Sequence, residues 1–243
     1  MNQLLFKLKI YGPKKFISYS LRELHARLWK QLFRKSFSQS WEDTIIDKLL
    51  ANKKNGFYVD IGAYDPHRFS NTKKFYMQGW NGINIEPDVI NFEKFVKERK
   101  RDINLNIGIG QKPQNIVFYK FIPDTLSTFS ENEAKKYKKS GYKLIGAKKV
   151  PVKSLDSILS KYRKNKNIDF MSIDTEGYDL EVLKSNNWQK FRPKVVCIET
   201  YSHNKKEGKR KRNSEVMNFL ENNGYKLYAH TGPNSIFVNK GYE

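Results

Sequence analysis

The sequence contains a single cysteine, Cys197, among 243 residues. One thiol excludes a disulfide framework and a zinc site built from several cysteines. The surrounding run, residues 195–198, is apolar and largely β-branched, as in a buried strand. Because a free cysteine behaves as a small hydrophobic residue, we interpret Cys197 as part of the core.

The sequence also lacks a long apolar run. No segment approaches the ~18 consecutive apolar residues that mark a membrane-spanning helix. Residues 1–7 do not lead into the long apolar core and small-residue cleavage site of a secretory signal peptide. We therefore expect a cytoplasmic protein, with peripheral contact at the inner face of the membrane as a further option.

Acidic residues are scarce relative to basic ones. Asp and Glu number 25 against 46 Lys and Arg, so the formal net charge is +21. Such an excess fits a nucleic acid, an anionic membrane surface or an anionic substrate as partner. It equally fits a lysine-rich composition without any electrostatic role. Aromatic residues make up 14% of the chain, which argues against a disordered chain.

The basic excess is marked in residues 1–36, which contain one acid, Glu23. One face of a helix is predicted there by apolar residues at steps of three or four: Ile17, Leu21, Leu24, Leu28 and Leu32. A basic amphipathic helix can lie on an anionic membrane, or pack on the domain or on a second copy of the chain. We therefore divide the chain into a basic amphipathic segment, 1–36, and a globular domain, 37–243.

Signatures for phosphate binding and hydrolysis are missing. The chain has no G-x-G-x-x-G motif, no P-loop, no H-E-x-x-H and no nucleophile elbow. It has instead the run G-F-Y-V-D-I-G-A-Y-D-P over residues 56–66, a short apolar strand that ends at Asp60 and Gly62. The acid in the following turn, Asp65, would repel a pyrophosphate. It would not repel the sulfonium and α-amino group of S-adenosylmethionine.

Four further strands, separated by helical segments, are predicted over residues 83–87, 103–110, 168–174 and 194–199. Alternation of this kind predicts an α/β fold with a parallel sheet. Four strands of the predicted sheet have an acidic residue at their carboxyl end: Asp60, Glu86, Asp174 and Glu199. Because ligands bind at the carboxyl ends of parallel strands, we expect these acids to line one pocket.

Two other segments bear on that pocket. Glu86 follows the glycine turn by ~20 residues or a little more, the spacing of an acid that accepts hydrogen bonds from both hydroxyls of a ribose. Residues 122–149 are polar and lysine-rich, and we predict a long loop there that acts as a lid or contacts the substrate.

Three segments resemble motifs of the FkbM family of S-adenosylmethionine-dependent methyltransferases. They are V-D-I-G-A at 59–63, V-P-V-K-S-L-D at 150–156 and I-D-T-E-G at 173–177. The first occurs in many methyltransferases, whereas the three in this order are more specific. The resemblance, over about residues 38–240, implies the class I methyltransferase fold. That fold is a Rossmann-like, seven-stranded, mostly parallel sheet with helices on both faces and a reversed last strand.

The resemblance also implies roles for individual residues. Contacts to the cofactor, from its methionine part through the ribose to the adenine, are implied for Asp60, Gly62, Ala63, Tyr64, Glu86, Asn106 and Gly108. Tyr64 stands where the family more usually has asparagine. Asp174 and Glu176 would face the methyl group and the acceptor.

Methyl transfer to a hydroxyl requires a positioned nucleophile and a group that removes its proton. Asp174 or Glu176 is the first candidate for this base, and His203 and His67 are the second. Alternatively, Asp174, Glu176 and Glu199 hold Mg²⁺, which prefers oxygen ligands. The sequence leaves these two interpretations open.

The implied activity is O-methyl transfer, often to sugars or polyketides. The predicted loop 122–149 and the basic loop 203–212 favour an anionic or membrane-bound acceptor, such as a sugar hydroxyl in a surface glycan or its lipid-linked precursor. Methylation of RNA or another nucleic acid is the alternative, although the chain has no N-P-P-Y-type motif and no cysteine nucleophile. A non-catalytic glycan-binding protein with a degenerate cofactor pocket is a third possibility.

Overall fold

The computed structural model describes Leu21 and residues 36–202 and 211–242. The predicted amphipathic segment 1–36 therefore lies almost wholly outside the described residues, and so does the candidate base His203. Within the described part, no helix combines the length and the apolar character that crossing a membrane requires.

The described residues form strands β1 (Phe57–Ile61), β2 (Asn81–Ile85), β3 (Ile103–Leu105), β4 (Gly108–Ile109), β5 (Gln114–Ile122), β6 (Lys143–Lys153), β7 (Phe170–Ile173), β8 (Val195–Glu199), β9 (Tyr201–Ser202), β10 (Lys211–Arg212), β11 (Tyr225–Thr231) and β12 (Asn234–Asn239). They also form helices α1 (Glu42–Leu49), α2 (Lys73–Met77), α3 (Val89–Glu98), α4 (Glu131–Lys139), α5 (Leu155–Tyr162), α6 (Asp179–Lys184) and α7 (Ser214–Asn222), with short 3₁₀ turns at Asp124–Leu126 and Lys240–Tyr242.

Seven strands form the main sheet in the order β11-β12-β8-β7-β1-β2-β3. From β8 to β3 all neighbours are parallel, and β12 runs antiparallel to both of its neighbours. This arrangement confirms the predicted class I methyltransferase fold with its reversed last strand.

The register of the sheet aligns the carboxyl ends of its central strands. Ile61 at the end of β1 pairs with Ile85 on one side and Ile173 on the other, and Ile173 pairs with Ile198. All five residues of β1 are buried, because β1 lies at the centre of the sheet with helices over both faces. The residues that follow these paired isoleucines therefore emerge at one edge of the sheet.

Two apolar clusters cover the two faces, as predicted. On one face, α5, α6 and α7 contribute Leu159, Leu183 and Leu220 to a core that contains the isoleucines of the central strands. On the other face, Ile46 of α1 and Phe75 of α2 pack with side chains of β1, β7 and β8. The buried Cys197 belongs to this second cluster, which confirms its interpretation as a core residue.

The prediction of a long loop over residues 122–149 is wrong. The segment forms the 3₁₀ turn Asp124–Leu126, then α4, whose cap Ser130 accepts a hydrogen bond from the Glu133 amide, and then enters β6. β6 pairs along its length with β5 to form a small second sheet with β4. Most side chains of β6 are exposed, so the strand lacks the apolar alternation that sequence reasoning requires.

Candidate active site

The turn after β1 approaches the end of β7 so closely that only glycine fits. Gly62 has φ +74°, and a Cβ atom there would lie 1.8 Å from the carbonyl oxygen of Asp174. The Gly62 and Ala63 amides both donate to the Ile85 carbonyl, at 3.0 and 3.1 Å. The two hydrogen bonds and the close approach to Asp174 hold the turn between β2 and β7.

Asp60, at the end of β1, is buried beneath this turn. The Thr72 hydroxyl donates to its carboxylate at 2.7 Å. Burial in the sheet disfavours the ionised form and raises the pKa of Asp60 to about 6. Asp60 therefore presents a buried carboxyl group that a cationic ligand would stabilise in its ionised form.

Glu86 directly follows β2, and its carboxylate accepts hydrogen bonds from two backbone amides. The Tyr64 amide donates to one carboxylate oxygen at 2.7 Å and the Asp88 amide to the other at 2.8 Å. Burial raises the pKa of Glu86 to about 8, and the two amides oppose that shift. Each oxygen retains a lone pair, so the carboxylate has room to accept two further hydrogen bonds.

Tyr64 connects the first turn to the segment beyond β5. It adopts a left-handed backbone, with φ 57°. Its hydroxyl donates to the Asp124 carboxylate at 3.2 Å and accepts from Arg68 at 3.0 Å. The 3₁₀ turn that contains Asp124 lines the cavity together with Tyr64.

The chain after β3 forms an apolar wall. The strand predicted over residues 103–110 breaks at Asn106, whose side chain donates to the carbonyls of Glu86 and Pro87 at 2.8 and 3.1 Å. Asn106 thus fixes the backbone beside Glu86 and does not line the cavity. Gly108 does line it, and a Cβ atom there would lie 2.6 Å from the ring of Phe129.

Three carboxylates converge where β7 and β8 end. Asp174, Glu176 and Glu199 each offer one oxygen, and these oxygens lie within 4.8 Å of one another. Glu176 has a left-handed backbone, with φ 53°, and its carboxylate accepts a 3.0 Å hydrogen bond from the Tyr137 hydroxyl. Burial, with repulsion from Asp179 and Asp60, raises the pKa of Asp174 to about 7. Burial and repulsion from Asp174 raise the pKa values of Glu176 and Glu199 well above their ordinary range.

Most of these groups line one cavity of about 330 Å³. Its acidic lining residues are Asp60, Glu86, Asp88, Asp124, Asp174, Glu176 and Glu199. No lysine, arginine or histidine lines it among the residues that the structure describes. In a chain of formal charge +21, a cavity with seven carboxylates and no described basic group is built for a cation or for a neutral polar ligand.

The structure brings together most of the residues that the sequence singled out. The predicted residues that line the cavity are Asp60, Gly62, Ala63, Tyr64, Glu86, Gly108, Asp174, Glu176 and Glu199. His67 does not line it, because its exposed ring lies 3.4 Å from Glu98 on the surface.

Sequence reasoning missed several residues of the site. Gln39, Tyr201 and Asn234 line the cavity near the converging carboxylates, and Tyr137 contacts Glu176 from α4. No local pattern marks them, because each reaches the site through the tertiary arrangement. The one usable signal is that Tyr201 lies two residues beyond the acid that closes β8.

Comparison with known proteins agrees with this geometry. Residues 60–227, more than half of the chain, match the methyltransferase FkbM domain. No curated protein sequence matches the chain.

Solved structures of methyltransferases are similar to the chain at low identity. Precorrin-6y C5,15-methyltransferase from Geobacter metallireducens is 9% identical with a TM-score of 0.41, over 80% of this chain and 86% of that one. The 1,6-didemethyltoxoflavin-N1-methyltransferase of Burkholderia thailandensis, solved with S-adenosylhomocysteine, is 9% identical with a TM-score of 0.40, over 81% and 74%. An S-adenosylmethionine-dependent methyltransferase from Clostridium acetobutylicum is 10% identical with a TM-score of 0.36, over 90% and 99%.

Proposed function

Since this chain belongs to the methyltransferase FkbM family, whose members use S-adenosylmethionine, we propose that it methylates a hydroxyl group of a sugar acceptor. The observation on which the proposal depends is the charge of the cavity, which has seven carboxylates and no basic side chain among its described lining residues. Such a lining attracts a sulfonium and an α-ammonium group and repels phosphates.

The residues that line the cavity suit the successive parts of the cofactor, from the methionine part through the ribose to the adenine. Asp60 and Gly62 line the cavity at the carboxyl end of β1, where the methionine part would lie. Glu86 has lone pairs free for the two ribose hydroxyls, and the apolar wall with Ile109 and Phe129 suits a planar adenine. When bound, the cofactor would supply a methyl group on a sulfonium, a good leaving group.

The converging carboxylates of Asp174, Glu176 and Glu199 would accept the proton that the acceptor hydroxyl loses. A carboxylate oxygen of Asp174 or Glu176 would accept the hydroxyl proton as the methyl group leaves the sulfur for the acceptor oxygen. Tyr201 borders this end of the cavity and would orient the hydroxyl by a hydrogen bond. The protein would thus position the acceptor hydroxyl and supply the group that accepts its proton.

The charge distribution favours a glycan over a nucleic acid as the acceptor. A phosphodiester chain would meet carboxylates throughout the cavity, whereas a neutral sugar hydroxyl would not. Exposed lysines of β6, which include Lys143, Lys148 and Lys149, lie outside the cavity and suit acidic groups elsewhere on a glycan or on its lipid carrier. The proposed acceptor is therefore a surface glycan or its lipid-linked precursor.

Cofactor binding and methyl transfer test this proposal separately. Calorimetry should detect S-adenosylhomocysteine binding that Asp60→Ala weakens and that Glu131→Gln, at an exposed acid of α4, leaves unchanged. With radiolabelled S-adenosylmethionine and cell fractions, label should appear in the polysaccharide or lipid-linked fraction and fall about 100-fold in Asp174→Asn. Label in RNA would contradict the acceptor class, and absence of cofactor binding would contradict the activity.

A further inference from the structure

The converging carboxylates at the acceptor end also have the geometry of a metal site. We propose that Asp174, Glu176 and Glu199, with the side-chain oxygen of Asn234, bind one divalent cation of the Mg²⁺, Mn²⁺ or Ca²⁺ type. The role of the cation, to hold and acidify the acceptor hydroxyl, rests on the proposed methyl transfer. The binding site itself does not depend on that activity.

The spacing of the oxygens fits a single ion. One oxygen from each of Asp174, Glu176 and Glu199 lies within 4.8 Å of the other two. Oxygens that bind one hard cation lie about 2.0–2.6 Å from it, so two of them are separated by at most about 5 Å. Each carboxylate has a second oxygen, so coordination leaves an oxygen that can accept the hydroxyl proton.

Asn234 supplies an independent indication of a ligand. The residue is 3% exposed, and its amide nitrogen donates to Glu42 at 2.9 Å. Its side-chain oxygen has no hydrogen-bond partner among the described residues. Asn234 pairs with Glu199 across β12 and β8 and lines the same cavity as the three acids. An amide oxygen is a ligand that Mg²⁺ and Ca²⁺ accept, and coordination would satisfy it.

Two buried acids elsewhere in the protein are neutralised by lysines. Asp169 is flanked by Lys53 and Lys194, each at 2.9 Å, and Asp47 pairs with Lys74 at 2.9 Å. The cluster has no such ion pair among the described contacts.

The basic side chain on the neighbouring strand does not neutralise the cluster either. Arg212 donates to the Thr200 hydroxyl at 2.6 Å and to the Asn234 carbonyl at 3.2 Å, and it forms no described ion pair with the acids. Three adjacent, half-buried carboxylates without a cation repel one another, and a bound divalent ion would remove that repulsion.

Binding of Mn²⁺ to the full-length protein tests the site without any activity measurement. Loss of the free Mn²⁺ signal in electron paramagnetic resonance should give one ion per chain, displaced by Mg²⁺ or Ca²⁺. Glu199→Gln and Glu176→Gln should each weaken Mn²⁺ binding about tenfold or more, and the control Glu131→Gln should not change it. Calorimetry with S-adenosylhomocysteine on the same variants shows whether they remain folded with an intact cofactor site.

Two results would overturn the metal site. One is the absence of stoichiometric Mn²⁺ binding to wild-type protein that binds S-adenosylhomocysteine. The other is Mn²⁺ affinity that stays equal in wild type, Glu199→Gln and Glu176→Gln, because the ion would then lie elsewhere. If Mn²⁺ binds at the cluster while S-adenosylhomocysteine does not bind, the metal site is supported and the proposed methyl transfer fails.

Discussion

The Tyr137 hydroxyl donates a 3.0 Å hydrogen bond to the Glu176 carboxylate across 39 positions of the sequence. The Tyr137 ring is nearly buried and packs edge-on against Phe121 at 5.6 Å. The Thr128 hydroxyl, from the same segment, donates to the Glu176 carbonyl at 2.8 Å. The segment between β5 and β6 therefore fixes both the backbone and the side chain of an acid at the end of β7.

Removal of the Tyr137 hydroxyl should separate acceptor chemistry from cofactor binding. We expect Tyr137→Phe to lower the free energy of unfolding by about 1 kcal/mol, because one buried hydrogen bond is lost while the ring packing remains. Methyl transfer should slow, since Glu176 loses a contact that orients it, and the affinity for S-adenosylhomocysteine should stay unchanged. Denaturant unfolding and calorimetry measure these quantities.

The matched control for that variant is Tyr228→Phe. Tyr228 is 59% exposed, so its change should leave the free energy of unfolding within about 0.5 kcal/mol of wild type. A Tyr137→Phe protein with unaltered stability and unaltered methyl transfer would show that the hydrogen bond to Glu176 has no role.

Three glycines allow backbone strain and steric clash at the turn after β1 to be separated. A Cβ atom added at Gly146 would meet open space at an ordinary φ, and one added at Gly141 would meet open space at φ +83°. Gly62 combines φ +74° with a clash against Asp174. We expect Gly146→Ala to be nearly neutral and Gly141→Ala to destabilise by about 1–2 kcal/mol. Gly62→Ala should destabilise more and abolish S-adenosylhomocysteine binding, because the turn must move away from β7.

Denaturant unfolding of the three alanine variants, with calorimetry, gives the ranking. Equal stability of Gly62→Ala and Gly141→Ala would show that the turn has room to relax and that the contact with Asp174 is not restrictive.

The raised pKa values of two buried acids predict how stability depends on pH. Asp60, with a pKa raised from 3.8 to about 6, and Glu86, raised from 4.5 to about 8, bind more protons in the native than in the unfolded state over that range. The free energy of unfolding of the ligand-free protein should therefore fall as pH rises from about 5 to about 8, by at least about 1 kcal/mol. Thermal unfolding at several pH values measures it.

Glu86→Gln is the variant that tests the origin of this dependence. It removes one titrating group, so the decrease in stability between pH 5 and pH 8 should be smaller than in wild type. A wild-type melting temperature that rises steadily over this interval would contradict the raised pKa values.

The sequence predicted the main sheet well because its strands are short, apolar and closed by acids. Buried strands such as β1 carry their own signal in β-branched residues, and parallel pairing aligns their ends. The signal is absent in β6, where Lys143, Lys148 and Lys149 are exposed and only the end of the strand enters the core. The segment therefore resembled a loop.

The cofactor end of the site was predictable and the acceptor end was less so. Asp60 and Glu86 lie at the ends of strands, so their positions depend on local sequence and sheet register alone. Asn234 reaches the cavity from the start of β12, and Tyr137 of α4 reaches the Glu176 carboxylate. Asn106 turns its amide toward backbone carbonyls. Such positions depend on how distant elements pack, which spacing in the sequence does not reveal.

The left-handed backbone at position 64 gives a physical reason why the family more usually has asparagine there. Tyr64 has φ 57°, a conformation that asparagine adopts more readily than other non-glycine residues and that β-branched residues rarely adopt. The bond from the residue 64 amide to Glu86 uses only the backbone of residue 64 and is independent of its side chain.

We therefore expect Tyr64→Asn to retain S-adenosylhomocysteine binding within about fivefold, a change of about 1 kcal/mol. The backbone bond to Glu86 is kept, and the lost contacts of the Tyr64 hydroxyl are with Asp124 and Arg68 of the protein itself. Tyr64→Val should weaken binding much more, because a β-branched residue forces the turn out of the left-handed region and withdraws the amide from Glu86. Calorimetry and thermal unfolding of both variants provide the measurement. Equal affinities of the asparagine and valine variants would show that the backbone conformation at this turn does not control cofactor binding.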